Sequence, residues 1–408
     1  MTFTQLCRLA ISKILKRGNL SSTEMESLFD AILTTPGDSL SDEETVLLAG
    51  FLLALAMKGE TVQELVGAAR GMRRHAERIQ VIGAQSAEIR AQRYESRDQS
   101  SERRDQNVES RDQNTESKVE SENHSALCVL RSDLPHSALY TLHSALIVDI
   151  VGTGGDSLHT FNVSTTSAFV AAGAGLVVAK HGNRAVSSRC GSADVLERCG
   201  VNLQLSPERV EEMIAEIGIG FLFAQKFHPA MRRVAPLRKM LGIRTLFNML
   251  GPLTNPAGAS CVLLGVYDAR LTEVYASALS ELGCRRAMVV HGYDGMDELT
   301  MTTRSRVTEF FDGRFRTYDF FPELYFDGEL AMPEELLGGD VDENAAILQG
   351  ILQGTICGGK RNIVLLNTAA ALVCAERAKT IEEGIKLAEE SIDSGAAYNK
   401  LQRMKEAG

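Results

Sequence analysis

The chain has 408 residues, 44% of them apolar and 24% charged, enough for two domains and a large buried core. Its net charge of −10 excludes a general nucleic-acid or membrane-surface binder, so basic groups that meet a polyanionic substrate must be concentrated locally. The eight cysteines show neither a Cys-x-x-Cys pair nor a metal-ligand spacing, which predicts reduced core thiols and a cytoplasmic location.

Residues 1–17 are amphipathic and lack the apolar run and cleavage site of a signal peptide. Apolar side chains recur at helical spacing in Leu6, Leu9, Ala10 and Ile14, and again in Met25, Leu28, Phe29 and Ile32. Ser41-Asp-Glu-Glu44 predicts the capped start of a helix through the apolar run 46–57, and Thr61-x-x-Glu64 opens another running to about residue 79. The apolar runs 46–57 and 168–179 are too short to span a bilayer and read as core. Residues 1–80 are therefore expected to form a small helical domain.

Composition then changes. A seven-residue unit recurs as Glu95-Ser-Arg-Asp-Gln, Glu102-Arg-Arg-Asp-Gln, Glu109-Ser-Arg-Asp-Gln and Glu116-Ser-Lys. A coiled coil with that period needs apolar a and d positions, yet between 95 and 123 the only aliphatic side chains are Val108 and Val119. His-Ser-Ala-Leu also repeats at 124–127, 136–139 and 143–146. Such a segment buries too little apolar surface to offset its ordering entropy, so 81–147 is expected to be a disordered, low-complexity insert.

From residue 148 to 408 the pattern is α/β. Short apolar or β-branched runs at 147–151, 176–179, 221–223, 261–266 and 287–290 alternate with helical stretches such as 207–217 and 271–282. That alternation predicts a mainly parallel sheet covered on both faces, with ligands at the carboxyl ends of its strands. Some helices near 205–245 are expected to pack with the helical domain.

Four blocks fall at those strand ends. Asp149-Ile-Val-Gly-Thr-Gly-Gly-Asp156, followed by Thr160-Phe-Asn-Val-Ser-Thr165, is strand, glycine turn and helix start, a backbone that can approach phosphate closely. It is neither Gly-x-Gly-x-x-Gly nor a nucleotide P-loop, and alone it marks only a tight turn. Lys180-His-Gly-Asn-Arg-Ala-Val-Ser-Ser188 packs an unusual density of donors into nine residues. Phe227-His-Pro-Ala-Met-Arg-Arg-Val-Ala-Pro-Leu-Arg-Lys239, then Gly242-Ile-Arg-Thr and Asn248-x-Leu-Gly-Pro-Leu-Thr-Asn-Pro256, carries a basic cluster; Arg232 and Arg233 read as a solvated helix face, whereas an arginine can fork onto the carboxylate of an acidic aromatic substrate. His291-Gly-Tyr-Asp-Gly-Met-Asp297-Glu298 places adjacent carboxylates in a loop, ordinarily surface charge, but suited to magnesium beside phosphate.

Together these blocks closely resemble the anthranilate phosphoribosyltransferase family over 1–80 and 149–408. Lys180-His-Gly-Asn and Asn248-x-Leu-Gly-Pro-Leu-Thr-Asn-Pro carry the specificity of the match, and the glycine turn and Asp-Glu pair recur in related folds. The resemblance implies transfer of the phosphoribosyl group of 5-phosphoribosyl-1-diphosphate to the amine of anthranilate, releasing pyrophosphate, in tryptophan biosynthesis. It implies that the diphosphate substrate is held at Gly152, Gly155, Asp156, Thr160, Asn162, Val163, Ser164, Thr165, Lys180, His181, Gly182, Asn183, Arg184, Ala185, Val186, Ser187, Ser188 and Ser192. Anthranilate is implied at Gly152, Asn183, Arg238 and His181, and magnesium, two ions per subunit, at Ser164, Asp297 and Glu298. A homodimer formed through the helical domain is implied as well.

No nucleophile–histidine–carboxylate constellation stands out, which fits catalysis by positioning and metal rather than by a side-chain acid or base: an aromatic amine is neutral near pH 7 and needs no strong base. The chain departs from the family in the long segment between the helical domain and the glycine-turn strand, expected to be a tolerated insertion because lengthening a surface loop costs little entropy. Two other readings share the fold: a pyrimidine nucleoside phosphorylase, opposed by the Lys180-His-Gly-Asn and Gly-Pro-Leu-Thr-Asn-Pro blocks, and a nucleic-acid-binding paralogue, opposed by the acidic balance and by Arg238. No nucleic acid and no membrane are expected as partners.

Overall fold

Five strands run parallel at the centre of the molecule because both of their faces are covered, and they are apolar almost throughout. The computed structural model describes residues 1–34, 39–81, 146–156, 158–185 and 190–408. Of the insert expected over 81–147, residues 82–145 fall outside that set; at its ends the expectation is corrected, since Val81 packs against a buried apolar cluster and Ile147 already belongs to the first strand. Met1–Val81 and Leu146–Gly408 form one compact unit.

The strands are β1 (Ile147–Gly152), β2 (Val177–Gly182), β3 (Ile219–Phe223), β4 (Cys261–Gly265), β5 (Arg286–Gly292), β6 (Ser305–Phe311) and β7 (Arg314–Phe320), in the order β3-β2-β1-β4-β5-β6-β7. The first five pair in parallel; β6 and β7 add an antiparallel hairpin at one edge. The apolar runs predict the parallel strands to within a few residues and miss the hairpin. Its turn, Asp312-Gly313, has both residues in the left-handed region, the backbone of a two-residue hairpin loop.

Helices follow in chain order: α1 (Phe3–Leu15), α2 (Ser22–Thr34), α3 (Asp42–Lys58), α4 (Val62–Arg74), α5 (Val163–Gly173), α6 (Ser192–Arg198), α7 (Pro207–Ile217), α8 (Ala224–Phe227), α9 (Ala235–Leu241), α10 (Leu246–Leu250), α11 (Leu271–Glu281), α12 (Val341–Leu352), α13 (Gly359–Cys374), α14 (Ile381–Asp393) and α15 (Ala396–Glu406). Ser41 with Glu44 and Thr61 with Glu64 form the capping boxes expected of α3 and α4. However, α4 ends at Arg74, not near 79. Beyond it the chain is taken up by other backbone: Glu77 N donates to the Phe227 carbonyl and Ile79 N to that of Pro256.

Strand alternation divides the core in two. Val148, Ile150, Cys261, Leu263, Met288 and Val290 pack against α5 and the carboxyl-terminal helices. Their neighbours Val262, Leu264, Ala287 and Val289 face the other way and share a core with α1–α4, α10 and α11. The helical bundle is thus cemented to one face of the sheet, with Phe29 against Phe247 of α10 at 5.5 Å between ring centroids. No helix among the described residues is long and apolar enough to cross a membrane.

Candidate active site

β1, β2, β4 and β5 all end in glycine, at 152, 182, 265 and 292. At two of these the reason is steric. Gly152 and Gly265 are register partners on adjacent strands, and a Cβ on Gly152 would collide with the Asp297 carboxylate, one on Gly265 with the Asp297 carbonyl. The loop after β5 therefore folds down onto the ends of β1 and β4. Asp297 Oδ2 accepts from Gly154 N at 2.7 Å, fastening the glycine turn to that loop.

The fold brings Asp156, Asp297 and Glu298 together, with one oxygen of each inside a span of 4.8 Å. Burial pushes all three carboxyls upward and neighbouring carboxylates add to it: Asp297 to about 6, through burial and then Asp156; Glu298 well above the usual range, through burial and then Asp297; and Asp156 through burial, with Asp294 adding to it. Oε2 of Glu298 is buried without a partner among the described residues. Clustered carboxylate oxygens, one of them unsatisfied, are the donor set of a hard divalent cation. The sequence pointed to Asp297 and Glu298 but placed Asp156 with the phosphate contacts. A signal was present: an acidic residue closing a phosphate-binding turn would repel the ligand unless a cation lay between them.

Lys180, 3% exposed, donates to the Ile150 carbonyl at 2.7 Å and to Ser164 Oγ at 3.4 Å. Burial lowers its ammonium to about 8, against the pull of Asp149, Glu298 and Asp297. Asp149, fully buried and raised to about 6 by burial, accepts from His181 N at 3.1 Å and from Asn255 Nδ2 at 2.8 Å. Asn255 also donates to the Ala179 carbonyl, so the Gly-Pro-Leu-Thr-Asn-Pro block braces β1 against β2. From the same block the Gly251 carbonyl meets His181 Nδ1 at 3.0 Å. A carbonyl accepts only from N–H, so Nδ1 carries the proton and Nε2, buried and unpartnered among the described residues, is left as an acceptor. Burial, then His228 at 5.2 Å between ring centroids, lowers His181 to about 3, so the ring is neutral. His228, itself lowered to about 4 by burial, had no sequence signal beyond its place in the Phe-His-Pro block.

At the start of α5 Asn162 stands at the N-cap position but makes no capping bond. Its Nδ2 reaches the Cys190 carbonyl, and its Oδ1 is buried and unpartnered among the described residues, as is Thr165 Oγ1. These unsatisfied groups lie at the helix start expected to meet phosphate. Val163 is fully buried, and Thr160 bridges to Leu337. In the next loop the Asn183 carbonyl accepts from Ser192 Oγ at 3.2 Å, and Gly182 packs against Ser192 and Phe221. Ala185 N donates to Asp194, while Arg184 is committed to Asp194 and Glu197. Val186, Ser187 and Ser188 lie outside the described residues.

Arg238 lies in α9, half-buried, with its guanidinium 5.7 Å from the Phe247 ring centroid and no ion pair among the described residues. Arg233 corrects the expectation of a solvated face: it is buried and pairs with Glu44 of the helical bundle at 2.9 Å, while Arg232 is exposed as expected. Arg244, in the Gly-Ile-Arg-Thr segment, stacks 4.3 Å over Tyr267 and donates to the Gly155 carbonyl.

The helical bundle domain of the glycosyl transferase family matches residues 8–76, and the a/b domain of that family matches residues 144–398. The anthranilate phosphoribosyltransferase of Desulfosudis oleivorans is 46% identical over 394 residues, covering 97% of this chain and 96% of its own. Among solved structures, anthranilate phosphoribosyltransferase from Thermus thermophilus superposes with a TM-score of 0.76 at 37% identity, covering 98% of both chains. The Saccharomyces cerevisiae enzyme, solved in complex with 5-phosphoribosyl-1-diphosphate and magnesium, gives 0.76 at 27% identity over 98% of this chain and 97% of its own.

Proposed function

The chain belongs to the anthranilate phosphoribosyltransferase family, and from that premise we propose how its residues perform the reaction. It transfers the phosphoribosyl group of 5-phosphoribosyl-1-diphosphate to the amine of anthranilate and releases pyrophosphate, the second step from chorismate to tryptophan. The observation that carries the reading is the carboxylate cluster of Asp156, Asp297 and Glu298, set beside Lys180 and the glycine turn at the ends of β1 and β5.

Magnesium fits this cluster, and Ser164, Asp297 and Glu298, joined by Asp156, would hold it, two ions per subunit. When bound, it supplies charge neutralisation for the departing pyrophosphate. The chain's own groups do the rest. Amides of Gly152, Gly155 and Asp156, the start of α5 from Thr160 and Asn162 to Thr165, and the donors of Lys180 to Ser188 with Ser192 seat the phosphates. Arg238 forks onto the anthranilate carboxylate. His181, neutral and with Nε2 as acceptor, receives an N–H of the amine beside Gly152 and Asn183 and aims its lone pair at the ribose anomeric carbon. The amine is neutral at pH 7, so aim and charge, not proton abstraction, set the rate.

We also propose that the enzyme is a cytoplasmic homodimer. Val46, Leu53 and Met57 form one exposed apolar stripe on α3, and Leu9 is exposed on α1, which the Arg8–Glu43 pair ties alongside. None of the seven described cysteines forms a disulfide, as suits a reducing compartment.

The test is stoichiometry. Incubated with anthranilate, 5-phosphoribosyl-1-diphosphate and magnesium, the protein is expected to release one pyrophosphate per anthranilate consumed and to leave thymidine and phosphate unchanged. Phosphorolysis of thymidine without loss of anthranilate would point to the nucleoside phosphorylase reading instead.

A further inference from the structure

Helix α13 lies behind the carboxylate cluster, and it bonds to two of the three elements that carry the proposed metal residues, the Asp297–Glu298 loop and α5. Asn367, 1% exposed, accepts from Leu299 N through Oδ1 at 3.1 Å and donates to the Leu299 carbonyl through Nδ2 at 2.9 Å. Leu299 directly follows Asp297 and Glu298. The same Nδ2 donates to the Ile363 carbonyl one turn back at 2.9 Å, which fixes the amide's orientation before the loop is engaged. One residue on, Thr368 Oγ1 donates to the Ser167 carbonyl at 3.4 Å, and Ser167 Oγ returns a bond to the Val364 carbonyl at 3.5 Å. Ser167 lies on α5, one turn from Ser164.

Adjacent residues of one buried helix thus hold the Asp297–Glu298 loop and the helix of Ser164 in common register. In front, the loop is held by its own hydroxyls, with Asp294 Oδ2 accepting from Thr300 and Thr302 at 2.5 and 2.6 Å, and by the bond from Gly154 N to Asp297 Oδ2 at 2.7 Å. Asn367 adds a hold from behind to the one that Gly154 makes in front. A buried amide is costly unless its donors and acceptor are satisfied, and here all three bonds are spent on backbone next to the carboxylates or on orienting the amide itself.

We propose that Asn367 is a positioning residue for the metal-binding carboxylates: its amide clamps the Leu299 peptide so that Asp297 and Glu298 converge on Asp156. This rests on the proposed reading of that cluster as the metal site. Partners that orient metal ligands typically change affinity about 10–100-fold when removed.

The test is manganese binding to the full chain without substrates, read by the loss of the free-ion electron paramagnetic resonance signal, with unfolding temperature measured beside it. Asn367→Leu keeps the volume and drops the three bonds; it is expected to raise the manganese dissociation constant about tenfold or more. Asn367→Asp keeps an acceptor for Leu299 N–H and serves if the leucine variant does not fold; it is expected to fall between that variant and the parent. Unchanged manganese affinity in the folded variants, with only the unfolding temperature lowered, overturns the proposal. Asp297→Ala separates the two claims: if it too binds manganese as the parent does, the metal reading fails and takes this inference with it.

Discussion

At the end of β1 there is no room for a side chain, because Asp297 fills the space a Cβ on Gly152 would take. Gly152→Ala must push that carboxylate away from Asp156 and Glu298, and misplacement by about 1 Å costs roughly 100-fold in turnover. We expect that loss in kcat with little change in unfolding temperature. Arg238→Ala is expected to act differently, raising the KM for anthranilate far more than it lowers kcat, since it removes a substrate contact remote from the bond that breaks. Two buried neutral imidazoles give a pH signature. His181 and His228 fall from the ordinary 6.5 to about 3 and about 4, so below pH 6.5 the unfolded chain binds protons that the folded chain refuses. The contribution of these two histidines to stability therefore declines as pH falls from 6.5 toward 4. Asp149 and Asp297, raised to about 6, and the raised Asp156 and Glu298 work in the opposite direction but are common to both proteins in a comparison with His228→Gln. That variant is expected to lose less unfolding temperature than the parent over this window; equal losses would remove His228 as a cause. Among single residues, Asp297, Glu298 and Lys180 were legible because their neighbours in sequence supply their context. Asp156 as part of the carboxylate cluster and His228 beside His181 were not, since those partners come from distant strands and loops.

Elements were legible where burial or caps write a periodic pattern. The parallel strands are covered on both faces and stand out as apolar runs, whereas β7 is an edge strand whose Arg314, Phe315 and Arg316 are exposed and blur any alternation. The end of α4 was misjudged because nothing local stops it; tertiary bonds to 227 and 256 do. Its start is the reverse case. Glu64, fully buried, accepts from Leu20 N, Thr61 N and Thr61 Oγ1 and pairs with Lys58 at 2.9 Å. Glu64→Ala leaves the nearly buried Lys58 ammonium without its counter-charge and removes the acceptor of two backbone donors, and should cost about 3 kcal/mol in urea unfolding. Thr61→Ala removes one cap and should cost about 1 kcal/mol. Equal effects would deny Glu64 its role as the hub of the bundle.

At the scale of the molecule, the helical bundle and one face of the sheet share a core, so the strand ends that carry the carboxylate cluster stand on a base common to both. Residues 92–140 enter just before β1; their removal is expected to leave turnover close to that of the full chain, and a large change would give them a role. If α1 and α3 form the dimer face, Met57→Glu is expected to reduce the mass in light scattering from two chains to one. If Asp297 and Glu298 serve phosphoribosyl transfer to anthranilate, anthranilate fluorescence followed with 5-phosphoribosyl-1-diphosphate and magnesium decays with the parent chain. It does not decay with the folded Asp297→Ala/Glu298→Ala variant at the same enzyme concentration. Equal decay rates for the two proteins, or no decay with the parent, would refute that role.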